Sequence, residues 1–138
     1  MAAMTGSQNS VEAMVAEFRQ NRELLVDGLN KIEGFVCHKP LGAFYAYPNV
    51  TRVCRQNGFK DSKELQQYLL YEAGVAVLGQ QCFATRPQDE DQEYIRLSYV
   101  SSGEDLREAL RRIGTALGDK GLMKSFLERK RKSNLVKS

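Results

Sequence analysis

The 138-residue chain is poor in the side chains from which metal and nucleophile sites are built. It has one histidine, His38, with no nearby ligand partners, so a three-ligand metal centre around it is not expected. Its three cysteines, Cys37, Cys54 and Cys82, are widely spaced and never at CxxC spacing, which argues against a zinc knuckle or a thioredoxin-like site. All three read as buried, reduced thiols of a cytoplasmic protein. No GxGxxG or Walker-type loop is present, and one histidine cannot supply a convincing Ser/His/Asp or Cys/His set. The longest apolar runs, 43–47 and 75–78, fall far short of a membrane span, and no apolar stretch behind a basic start marks a secretory signal.

What is present is ordinary for one folded domain: 42% hydrophobic and 27% charged residues, in a length that buries a core without staples. Charge is unevenly placed. Residues 119–138 carry seven Lys or Arg against two acids, so the rest of the chain is slightly acidic although the total is +3. The basic run reads as a solvated tail or helix end, with nucleic-acid or acidic-surface binding as the alternative. Its single aromatic, Phe126, gives base stacking little support.

The pattern predicts a polar lead-in over 1–9, a domain over 10–118 and a basic tail over 119–138, for which a helix is one option. Ser10 is a candidate cap, and Val11, Met14, Val15, Phe18, Leu25, Leu29 and Ile32 line one helical face closed by Gly34. Strands are predicted at 35–39, 43–47, 75–78 and 94–100, with a loop after Pro48 through Gly58. Asp61 with Glu64 opens a short helix ended by Gly74. Ser101 with Glu104 opens another, which Gly118 ends. The order is α-β-β-α-β-β-α: a two-layer α/β sandwich with a small, mostly antiparallel sheet of three to four strands and helices on one face.

The most informative element is Tyr94-Ile95-Arg96-Leu97-Ser98-Tyr99. Side chains alternate along a strand, so Ile95, Leu97 and Tyr99 should meet the helices while Arg96 projects between Tyr94 and Ser98. A guanidinium held mid-strand can fork onto a carboxylate, but on pattern alone a structural salt bridge is the better reading. Gly42 reads as a turn glycine or a point of close backbone approach, and Phe44 as a core aromatic or a pocket wall. The acids Asp89-Glu90-Asp91 read as solvated loop residues.

Five segments in fixed order then carry a resemblance: Ser10-Val-Glu, Gly28-Leu-Asn, Lys39-Pro-Leu-Gly-Ala-Phe-Tyr45, Gly74-Val-Ala-Val-Leu78 and Tyr94-Ile-Arg-Leu-Ser-Tyr99. Over about residues 3–117 the chain resembles the C-terminal small domain of class I/II, fold-type I, pyridoxal-phosphate-dependent aminotransferases of the aspartate aminotransferase group. The resemblance implies that Arg96 grips the substrate α-carboxylate and that Gly42 and Phe44 lie near substrate. It further implies amino-acid and 2-oxo-acid substrates and a homodimeric complete enzyme.

Two departures stand out. Where the family usually has Pro-Gly-x-x-Phe-Gly, this chain has Gly79-Gln-Gln-Cys-Phe-Ala84. The family's cofactor-holding lysine and phosphate groups lie in a large domain preceding this region, and Lys63, at a helix start, does not match that lysine. The chain thus resembles a separated fragment, expected to bind no cofactor and to be inactive alone. A non-catalytic interaction module, or a nucleic-acid binder acting through 119–138, are the alternatives from other classes.

Overall fold

In a computed structural model, residues 9–85 and 89–137 are described. A long helix α1 (Asn9–Asn30) leads into a short strand β1 (Tyr45–Ala46), then two helices, α2 (Thr51–Asn57) and α3 (Ser62–Ala73). Strand β2 (Leu78–Gly79) runs into a 3-10 turn at Gln80–Cys82, and β3 (Ile95–Ser98) precedes helices α4 (Gly103–Gly118) and α5 (Lys120–Lys137). The sheet is antiparallel in the order β1-β3-β2, with Tyr45 opposite Ser98 and Leu78 opposite Arg96. The α/β architecture read from the sequence is therefore present, with three strands.

The core explains the order of the elements. Leu25 and Leu29 of α1, Leu65, Tyr68 and Leu69 of α3, Ile113 of α4 and Ile95 of β3 are almost fully buried together. Helix α1 crosses α4 closely: a Cβ on Gly28 would lie 2.3 Å from a Leu110 methyl. Asp61 caps α3 as expected, its carboxylate accepting the Glu64 amide at 2.9 Å. Glu93 is a buried carboxylate that the sequence reading passed over. It accepts the Ser62 amide at 2.7 Å, and its own amide donates to the Thr51 hydroxyl at 2.8 Å, so the entry to β3 is tied to α2 and α3.

Several local expectations are corrected. Helix α1 stops at Asn30, four residues before Gly34, and Ser10 lies inside it instead of capping it. The Asn30 amide accepts from the Cys37 N–H at 2.8 Å and donates to the Cys37 carbonyl at 2.9 Å. That side chain takes the place of a strand partner, so the predicted strand 35–39 reduces to one bridge between Val36 and Asn49. Gly34 has φ +90, and a Cβ there would meet Val53 at 2.9 Å, so a glycine is required in the turn. Residues 51–57, expected as loop, form α2, started by Asn49 accepting the Thr51 amide and ended by left-handed Gly58. Ser102, not Ser101, caps α4. Of the predicted strand 75–78, Val75 and Val77 are buried, but ladder pairing begins only at Leu78.

The apolar stripe of α1 is buried only from Asn21 onward, and Val11, Met14 and Val15 stand exposed. Conversely, the basic segment beyond 119 is helical and is not wholly solvated. Met123 and Phe126 are buried in the core, and the Phe126 ring meets Tyr68 edge-on at 5.2 Å. Phe126 therefore offers no free ring for base stacking. Among the described residues no helix is long and apolar enough to cross a membrane.

Candidate functional site

Alternation along β3 decides which way its side chains face. Ile95, Leu97 and Tyr99 are 0%, 6% and 3% exposed, whereas Arg96 and Ser98 lie on the open face of the sheet. The Arg96 guanidinium carbon lies 4.4 Å from the centre of the Tyr45 ring and 5.2 Å from that of Phe83. Tyr45 comes from the neighbouring strand and Phe83 from the end of the 3-10 turn, so two elements flank a cation presented by a third. Rings hold a guanidinium in place through their faces without occupying its N–H donors. Among the described residues Arg96 makes no salt bridge, whereas Arg55, Arg111, Arg112 and Arg129 each pair with a carboxylate. The structural salt bridge considered for Arg96 from sequence is thus absent among the described residues.

An aromatic wall extends from this point. Phe83 meets Tyr47 edge-on at 5.0 Å, and Tyr47 stacks on Tyr94 with ring centres 4.9 Å apart. Burial, reinforced by the charges of Glu90 and Tyr94, pushes the Tyr47 hydroxyl above its ordinary pKa. Tyr45 and Phe83 were not singled out from the sequence. The only signal for Tyr45 is its place in an aromatic strand, and the position of Phe83 follows from a turn that no local pattern announces.

Gly42 and Phe44 lie on the segment entering β1. Phe44 is 48% exposed and packs edge-on against Phe18 at 5.4 Å, so it is not a core aromatic. A side chain built on Gly42 would meet nothing within 4 Å, so no close approach inside the chain requires this glycine. The segment is held from behind: Arg22 donates to the Pro40 carbonyl at 3.1 Å, and Glu23 pairs with Lys39. The Lys39 hydrogen bond holds the Glu23 carboxyl below the ordinary carboxylate range. Leu41 is fully exposed beside it.

The remaining candidates lie elsewhere. Lys63 sits in the first turn of α3, lining a concavity of about 430 Å³ with Gln80 and Glu93. Cys37 and Cys54 are buried, but Cys82 is exposed in the 3-10 turn, which corrects the reading of three buried thiols. Burial, with Glu93 adding to it, pushes the Cys54 thiol up to about 12. Asp91 is exposed, as expected for a solvated loop residue, and its carboxylate accepts from Arg55 at 2.7 Å. No cluster of three potential metal ligands exists among the described residues.

The chain as a whole matches a known family. The family profile described as aminotransferase class I and II matches residues 1–113. The chain belongs to this family. It is 35% identical over 121 residues to an aspartate aminotransferase of Rhizobium meliloti, covering 84% of this chain and 28% of that protein. It is 36% identical over 111 residues to an asparagine–oxo-acid transaminase of Streptococcus mutans, covering 80% of this chain and 27% of that protein. The crystal structure of the Rhizobium meliloti aspartate aminotransferase superposes with a TM-score of 0.74 at 33% identity, over 85% of this chain and 29% of that one. This aminotransferase-family chain therefore spans little more than a quarter of the length of these relatives.

Proposed function

We propose that residues 10–118 are the C-terminal small domain of a pyridoxal-phosphate-dependent aminotransferase, and that Arg96 binds the substrate α-carboxylate. The observation that carries this reading is the outward Arg96 guanidinium, set between the Tyr45 and Phe83 rings with no carboxylate partner among the described residues. A planar fork of donors on a rigid strand suits two-pronged recognition of a carboxylate. Phe44, half exposed beside Phe18, and Gly42, with open space before it, are assigned near the substrate through the family resemblance. The substrates are amino acids and 2-oxo acids of the aspartate type, or a broader set that includes them.

Lys63 sits in the first turn of α3, beside Gln80 and Glu93, and does not match the family's cofactor-holding lysine. On this reading the cofactor's binding groups belong to a large domain outside these residues. In the complete enzyme the cofactor supplies the electron sink for amino-group exchange. The role left to this chain is to bind and orient the carboxylate and, by closing over it, to exclude water. Alone it is inactive. The complete enzyme is cytoplasmic and homodimeric on this reading.

The test uses an enzyme in which this segment is joined to, or reconstituted with, its large domain. Arg96→Ala should lower kcat/KM for an amino acid by roughly 30-fold to several thousand-fold, the loss for one member of a desolvated charged pair. The decarboxylated amine should lose far less. Arg96→Lys keeps the charge without the fork and should also fail to restore activity. Equal losses for both substrates would make Arg96 a structural residue and end the carboxylate reading.

A further inference from the structure

We infer that Tyr99 is a positioning residue for Arg96, acting from the buried side of the sheet through a left-handed alanine. Its functional meaning rests on the carboxylate-binding reading of Arg96. The starting observation is Ala43, at φ +64 the one non-glycine residue with positive φ among those described. In that region the Cβ of an L-residue crowds the backbone carbonyl, so alanine enters it only where neighbours hold it there. Tyr99 supplies the hold. Its hydroxyl donates to the Ala43 carbonyl at 2.5 Å, and its backbone N–H donates to the Phe44 carbonyl at 3.0 Å. One residue thus grips two successive carbonyls of the segment entering β1.

The consequence is directional. Once Ala43 is turned left-handed, the chain delivers Tyr45 opposite Ser98, and its ring comes to lie 4.4 Å from the Arg96 guanidinium. Tyr99 is 3% exposed and faces the helices, whereas Arg96 is on the open face. It therefore cannot touch a ligand beside Arg96, and any effect it has there passes through Ala43, Phe44 and Tyr45. A phenylalanine at 99 would fill the same space but leave the Ala43 carbonyl without its donor. A glycine at 43 would reach the left-handed region without steric cost and would make the hydroxyl dispensable.

The experiment uses the isotopically labelled whole chain and compares wild type, Tyr99→Phe, and Tyr99→Phe combined with Ala43→Gly. Stacking against Tyr45 should displace the Arg96 Nε–H resonance from the free-arginine position. In Tyr99→Phe that displacement should collapse, and the Tyr99-position amide should exchange roughly tenfold faster, as expected for a lost hydrogen bond. Ala43→Gly in the same background should restore most of the displacement. A purely structural tyrosine would lower stability without moving the Arg96 signal selectively. If the Arg96 resonance stays in place in a folded Tyr99→Phe chain, the inference is overturned. It is equally overturned if Ala43→Gly restores nothing in the double variant, which keeps the test decisive should Tyr99→Phe alone fold poorly. Neither readout involves substrate, so this result is independent of whether Arg96 binds a carboxylate.

Discussion

Phe126 of α5 meets Tyr68 of α3 edge-on at 5.2 Å, with both rings buried. The Tyr68 hydroxyl in turn donates to the Ala116 carbonyl of α4 at 2.5 Å, so three helices meet at one aromatic pair. Phe126 lies beyond the 1–113 span matched by the family profile, yet it closes the core of the domain. The Arg129–Glu72 ion pair adds a second link between α5 and α3.

Removing that ring should be costly. Phe126→Ala deletes a buried aromatic and leaves a cavity against Tyr68, with an expected loss of about 3–5 kcal/mol. Urea denaturation followed by circular dichroism measures it. A loss below about 1 kcal/mol would show that α5 is docked too loosely to support the core.

Alkaline pH should weaken the fold in a defined window. Burial raises the Cys54 thiol from 9.0 to about 12 and the Tyr68 hydroxyl from 10.0 to about 12. The unfolded chain therefore releases these protons at lower pH than the folded chain. Their stabilising contribution is complete below about pH 9 and is lost as pH rises towards 12. Unfolding free energies measured from pH 8 to 11 should fall with rising pH, and Cys54→Ala should flatten the slope. An unchanged slope in that variant would remove Cys54 from the explanation.

The thiols should divide by exposure. Cys82 is exposed, while Cys37 and Cys54 are buried with raised pKa values. A chromogenic thiol reagent should modify one group rapidly in the native chain and the other two only in denaturant. Peptide mapping should place the fast label on Cys82. Rapid labelling of Cys37 or Cys54 would mean that the core opens more readily than its packing indicates.

The chain alone should form no specific pyridoxal phosphate adduct, because no lysine of this sequence matches the family's cofactor-holding lysine. Visible spectra before and after borohydride, with mapping of any labelled lysine, test this. A stoichiometric adduct on a single lysine would require a cofactor site within this chain.

The direction of Arg96 was legible in the sequence because strand alternation is a local geometric rule: hydrophobic Ile95 and Leu97 can only be buried by turning Arg96 outward. The Asp61 cap and the Gly74 stop were legible for the same reason, since each signal and its consequence lie within a turn or two of chain. Helix α2 was not, because seven residues give too little periodicity, although Asn49 and Gly58 mark its two ends. The strand expected at 35–39 was lost to the side chain of Asn30, a partner that local pattern does not name. The surroundings of Arg96 were decided by tertiary structure alone. Tyr45 reaches it through strand pairing, Phe83 through a 3-10 turn and Tyr99 through a hydrogen bond to left-handed Ala43. Those contacts join residues far apart in the chain, and their energy exists only once the core has brought β1, β3 and the turn together. A local sequence pattern can fix which way a side chain faces, but only packing fixes what it meets there.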